Sequence, residues 1–177
     1  MKIRINLAYT YKMYIIMLLV ALVVPIVFGY YIYRNYKCRK IFFQDTIAFC
    51  DHLSVEIGFS KNNLGYIIDT YKDSYAQHFY NTLVGYKTLL DNRIEITHGA
   101  VNSVVWRGLK PAEITTITDF LYELGRHGSH EEQSKIASKR VTFDHFFDQS
   151  KTALRREASI YFKLCIILGI ALVILLV

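Results

Sequence analysis

Two uninterrupted apolar runs bracket a chain that otherwise places its apolar residues at helical spacing. Met13 to Tyr33 holds 21 residues without a charge, 19 of them apolar, between Lys12 and Arg34. That is close to the ~20 residues a helix needs to cross the hydrocarbon core. Leu164 to Val177 holds 14, of which 13 are apolar. Fourteen helical residues rise only about 21 Å, so this helix is extended back to Ile160, with Lys163 snorkelling to the headgroups. The spacing predicts transmembrane helices over 13–33 and 164–177, with 1–12 as an N-terminal extension. A cleaved signal peptide competes for the first run, and a helix packed against protein for the second. No A-x-A site follows the first run, and Phe28, Tyr30 and Tyr31 at its exit suit an interfacial aromatic belt.

Residues 34–163 read as one helical domain. Phe43, Ile47, Cys50 and Ile57, widened by Phe42, Phe49 and Leu53, continue the first helix as an amphipathic one until Gly58. Leu64, Ile67, Ile68, Tyr71, Tyr75, Phe79, Leu83 and Leu90 predict one or two helices over 64–92, with a break near Asp73–Ser74. Residues 94–109 suit a strand by content, and a short helix by the spacing of Val101, Val104, Val105 and Leu109. With no second strand to pair with, a helix is expected. Pro111 opens the next helix at its first position, Ile114, Ile117, Phe120, Leu121 and Leu124 line it, and Gly125 stops it. Ser129-His130-Glu131-Glu132 fits a capping box, and no Gly or Pro follows before Gly169. The last helix should therefore run from His130 into the membrane, with Ile136, Phe143, Phe147, Leu154 and Tyr161 as a seam packed antiparallel on the first long helix. The fold class expected is all-α, a cytoplasmic antiparallel helix bundle between an N-terminal and a C-terminal transmembrane helix.

Charge sets the expected orientation. Arg34, Lys37, Arg39 and Lys40 follow the first run, and Arg155, Arg156 and Lys163 precede the second, within a net charge of +6. Basic flanks at both ends place 34–163 in the cytoplasm and both termini outside. Lys2, Arg4 and Lys12 oppose that orientation, and a start at Met13 or Met17 would remove the conflict. Outside the two runs about 44% of residues are apolar, an ordinary composition that excludes a large two-domain enzyme and a disordered acidic tail. The three cysteines form no CxxC, and Cys38 and Cys50 lie about 18 Å apart on one helix, beyond disulfide reach. They suit a reducing compartment, not a disulfide-rich secreted module.

Candidate chemistry is sparse. His127 and His130 flank the turn before the last helix beside Glu131 and Glu132, and Asp144-His145 with Asp148 resembles a carboxylate–histidine pair. A metal site needs three or four convergent ligands and a nucleophile needs a paired base, and neither set is complete. No P-loop or G-x-G-x-x-G occurs. The chain is expected not to be an enzyme and to need no cofactor, metal or catalytic residue. The alternative is a membrane-anchored sensor or metal-dependent hydrolase using His127, His130, Asp144 and His145. The cations Lys135, Lys139, Arg140, Lys151, Arg155 and Arg156 of the last helix are interrupted by acids, and no nucleic acid is expected as a partner. A holin-like pore sits badly with so patterned a central domain.

Several segments together resemble the stage III sporulation protein AB family. The most specific is Leu124-Gly125, a polar turn, and Glu131-Glu132-Gln133. Glu56-Ile57, Leu64 and the single Trp106 followed by Leu109 also fit in order and spacing. Ser129 stands where the family's capping aspartate would be, the turn is one residue longer, and Asn63 replaces a proline common before the leucine. The resemblance covers residues 13–177. The family is similar, in turn, to the cytoplasmic helical domains of the inner-membrane platform protein of type II secretion and type IV pilus machines. The resemblance implies a non-enzymatic platform or adaptor in the channel complex joining mother cell and forespore. Its implied partners are the lipid bilayer, the other stage III sporulation channel proteins and the cytoplasmic secretion-type ATPase. Its implied place is the mother-cell membrane facing the forespore. Arg126, His127, His130, Glu131, Glu132 and Gln133, with the exposed face of the 111–124 helix, form the candidate partner surface, held by Gly125 and Ser129. A helix from His130 to Ile160 would place that turn about 45 Å from the bilayer.

Overall fold

The computed structural model describes the backbone of residues 2–59, 63–92, 96–125 and 129–176, and the side chains of 12–57, 63–92, 96–125 and 131–176. All regular structure among the described residues is helical: α1 (Lys2–Phe59), α2 (Leu64–Tyr71), α3 (Gln77–Asp91), α4 (His98–Val104), α5 (Pro111–Glu123), α6 (Ser129–Ala153) and α7 (Ser159–Leu176). A 3₁₀ turn, Lys72–Ser74, lies between α2 and α3, and a π segment, Leu154–Ala158, between α6 and α7. The helices fall into two compact units, Met1–Lys37 with Thr152–Val177, and Cys38–Lys151.

The 38–151 unit has its core where the apolar spacing places it. Phe42, Phe43, Phe49, Cys50 and Leu53 of α1 are buried, with Ile67 and Ile68 of α2, Phe79 and Leu83 of α3, and Ile117 and Leu121 of α5. Phe42 meets Phe79 edge to face at 5.2 Å between centroids, and Phe79 meets Tyr75 likewise at 5.2 Å. Such aromatic edges add to the burial energy of large rings. α1 and α6 run antiparallel, as the seam requires. Phe43 meets Phe146 at 5.4 Å, Arg140 Nε donates to Asp51 Oδ1 at 2.6 Å, and Gln133 Nε2 donates to the Ser54 carbonyl at 3.2 Å. Rising numbers on α1 therefore pair with falling numbers on α6.

The break expected near Asp73–Ser74 is the 3₁₀ turn, and α3 opens on a borrowed cap: Asp45 Oδ2 on α1 accepts from the Ala76 N–H at 2.8 Å. Asn63 caps α2 by accepting from the Gly65 N–H at 3.2 Å. The helix expected over 94–109 is only the seven residues of α4, and 93–95 lie outside the described residues. Val105 is extended after it, and so is Lys110, as the residue before a proline prefers. The chain between them turns while keeping Val105 and Leu109 buried.

In the other unit, α1 and α7 pair antiparallel along their apolar lengths, with mean hydropathies of 2.7 and 2.6 in their most apolar windows. Both helices are long and apolar enough to cross a membrane. Tyr36 Oη donates to Glu157 Oε2 at 3.0 Å, Tyr33 and Phe162 stand 6.4 Å apart, and Tyr14 Oη donates to the Leu176 carbonyl. Gly29 permits the contact: a Cβ there would lie 2.9 Å from Cys165 Cβ. Small residues at such crossings let apolar helices approach through backbone packing. Pro25 lies inside α1 without ending it, which neighbouring groups in a helix pair can accommodate.

The last helix departs from expectation at the π segment. Tyr161, assigned to the seam, is 47% exposed, whereas Ala153 and Ala158 are buried. Those two alanines are five residues apart, one π turn. The extra residue rotates everything after it relative to an unbroken 3.6-residue period, so a seam drawn through Leu154 to Tyr161 misses the buried face.

Candidate partner surface

The turn between α5 and α6 is assembled from its two ends. Leu124 leaves the helix in an extended conformation, and Gly125 has φ +82°, the left-handed region that favours glycine. Its N–H donates to Glu132 Oε1 at 2.6 Å, so the first turn of α6 reaches back to fix the end of α5. A Cβ on Gly125 would meet only Leu64 Cδ2 at 4.0 Å, so the obstacle to a side chain there is conformational. Gly125→Val is expected to lower stability by about 1–3 kcal/mol, read from denaturant unfolding. Gly125→Asn, which tolerates the left-handed region, should lose less. Equal losses would show that φ is not the constraint.

The predicted surface residues divide. Arg126 and His127 lie outside the described residues, as do the side chains of Ser129 and His130, whose backbones are helical. The helix begins one residue earlier than expected, with Ser129 inside α6 and not at its cap, and the Glu132 carboxylate accepts from the Gly125 N–H. Glu131 is exposed and 3.2 Å from Lys135 one turn on. Glu132 is only 6% exposed, so the exposure expected of this charge is not found. Its carboxylate is drawn inward because the Gly125 N–H, released at the end of α5, needs an acceptor. Gln133 is half-buried and held by the Ser54 carbonyl. On α5, Asp119 lies 3.5 Å from His98 Nδ1, and the His98 ring rests on Tyr122 at 4.0 Å.

Of the residues of the hydrolase alternative, His127 and the His130 side chain lie outside the described residues, and Asp144 and His145 have other partners. Asp144 sits 3.5 Å from Arg140, and Gln149 Nε2 donates to His145 Nε2 at 2.8 Å. No group of three or more His, Cys, Asp or Glu that could hold a metal occurs among the described residues. The three cysteines are free, as expected. Burial, reinforced by Asp51 and opposed by Arg140, pushes the Cys50 thiol up to about 12, which leaves it protonated and unreactive.

The strongest polar feature of the 38–151 unit is one that the sequence reading did not single out. Arg39 Nε donates to Glu113 Oε2 at 2.9 Å and to Oε1 at 3.1 Å, and its Nη2 also reaches Oε1. Glu113 Oε2 also accepts from the Lys110 N–H at 2.9 Å, which satisfies a free donor at the start of α5. Arg39 is 5% and Glu113 2% exposed. Arg39, counted among the flanking cations, is thus folded into the unit.

These features define a class: an all-α chain with two helices apolar enough to span a membrane, a buried ion pair, and a glycine stop tied to the first turn of the following helix. The stage III sporulation protein AB family matches residues 13–177, and the chain belongs to that family. Membership implies a role in sporulation, and the family is not a known enzyme family. No curated protein and no solved structure matches the chain.

Proposed function

We propose that the chain is a non-enzymatic membrane platform or adaptor in the secretion-like channel complex between mother cell and forespore. In this reading α1 and α7 cross the mother-cell membrane, 38–151 lies in the cytoplasm, and its surfaces link the secretion-type ATPase and other stage III channel proteins to membrane parts. The observation that carries it is that both ends of the 38–151 unit run directly into apolar helices that pair antiparallel. Such a unit is anchored at two points on one side of a membrane. The basic flanks support the cytoplasmic side. Arg126, His127, His130 and Glu131, of which Glu131 is exposed, are the contact proposed for the ATPase. Glu132 and Gln133 tie the start of α6 to Gly125 and to Ser54.

Two measurements test the reading. Cysteines introduced at the exposed Ser103 and Ser138 should resist impermeant reagents in intact cells and react after lysis. Affinity capture from sporulating cells should return the ATPase and channel proteins. Labelling from outside would overturn the topology, and capture of a stable chain without those partners would overturn the adaptor role.

A further inference from the structure

Arg39 shows that folding can consume a flanking cation. Five others stay open: Arg34, Lys37, Arg155, Arg156 and Lys163 are exposed, and none has a carboxylate partner among the described residues. All five belong to the unit formed by Met1–Lys37 and Thr152–Val177. Its one acid among the described side chains, Glu157, accepts from Tyr36 Oη at 3.0 Å. The helix pairing fixes their levels, because Tyr36 stands opposite Glu157 and Tyr33 opposite Phe162. Carried along both helices at the helical rise, this places the five cations in a band about 12 Å deep. Tyr30, Tyr31, Tyr33 and Tyr161 are exposed at or beside the band, and the apolar lengths of α1 and α7 follow immediately.

We propose that this band is a binding surface for anionic phospholipid headgroups. A topogenic signal acts during insertion and does not require its cations to remain free afterwards. Here five remain free, within one band about 12 Å deep, beside tyrosines that favour the interface. Guanidinium groups match phosphate oxygens through paired N–H donors, and lysines add charge. The continuity with exposed apolar helices favours a lipid surface over nucleic acid. The proposal rests on the membrane reading given above.

The test uses the full chain in vesicles of phosphatidylcholine with a minor fraction of phosphatidylglycerol. Carbonate extraction first establishes insertion; release of the chain at that step would overturn the membrane reading and the lipid surface with it. Inserted chain is then excised with its surrounding lipid by a styrene–maleic acid polymer, and the lipids are quantified. Phosphatidylglycerol should be enriched by about fivefold or more over the bulk, since one basic residue near an anionic surface contributes that factor. The enrichment should fall at high salt, and also in Arg34→Gln/Lys37→Gln/Arg155→Gln/Arg156→Gln/Lys163→Gln. Should that variant fail to insert, the salt dependence and Arg34→Gln/Lys37→Gln decide in its place. An inserted wild-type chain with bulk lipid composition overturns the lipid proposal alone, leaving the membrane reading standing. So does binding of a short single-stranded RNA that excess phosphatidylglycerol does not displace.

Discussion

Glu113→Ala is expected to cost the 38–151 unit about 3–5 kcal/mol, because it strands the buried Arg39 guanidinium without a counter-charge. The same substitution deprives the Lys110 N–H of its acceptor at the start of α5. Arg39→Ala should lose a similar amount by leaving the carboxylate unpaired. The informative comparison is Arg39→Met with Glu113→Leu together. Replacing both ions by apolar groups of similar size removes two desolvation penalties along with the attraction, and such exchanges are often neutral or stabilising. The double variant is therefore expected to recover most of the loss caused by Arg39→Met or Glu113→Leu alone, with a strongly favourable coupling in the double-mutant cycle these three variants form with the wild type. Chemical denaturation of the full chain in detergent reads all four proteins. If Glu113→Ala costs less than about 1 kcal/mol, the pair is open to water and the described geometry is wrong.

That pair also marks where reading the sequence stopped short. Arg39 falls on the buried stripe of α1: Arg39, Phe43, Thr46, Cys50 and Leu53 are spaced 4, 3, 4 and 3 and all are buried. Its charge, and its place in a basic cluster, drew it into the flanking cations instead. Glu113 carried a signal of its own, an acid at the third position of a helix opened by Pro111. Spacing alone could mark each residue as unusual, but it could not join an arginine on α1 to a glutamate 74 residues later. Helix identity was legible because the apolar spacings and Gly125 all favour the same boundaries. The extent of α4 was not, because Val-rich spacing fits a short helix and an extended exit equally well. The π segment was invisible for a different reason: one extra residue changes the phase of the buried face without changing composition.

Of the two neighbouring acids in the candidate surface, one is exposed as the sequence reads and the other is not. A run of charged and polar residues after a glycine reads as a solvated turn, and Glu131 fits that reading. Glu132, next to it, does not, since adjacent helical residues point about 100° apart. One of two neighbouring acids at a helix start can therefore face solvent while the other faces the preceding helix.

This difference separates structure from recognition in the last expected result. Glu132→Lys should destabilise the chain by about 3 kcal/mol or more. It removes a carboxylate accepting the Gly125 N–H at 2.6 Å, and it puts a cation into a buried site at the positive end of α6. Glu131→Lys gives up only an exposed pair with Lys135 and a favourable interaction with the helix dipole, so less than about 1 kcal/mol should be lost. Measured side by side, the two variants have opposite diagnostic value. Loss of partner capture by Glu131→Lys, in a chain that unfolds at nearly the wild-type denaturant concentration, would mark the turn as a contact surface. Loss by Glu132→Lys alone would report a disordered junction between α5 and α6 and say nothing about contact. If Glu131→Lys captures partners normally, the contact moves to another exposed face, with the aromatic-rich α2 and α3 next to be tested. Tyr66 on α2, large and 59% exposed, is the first position to change there.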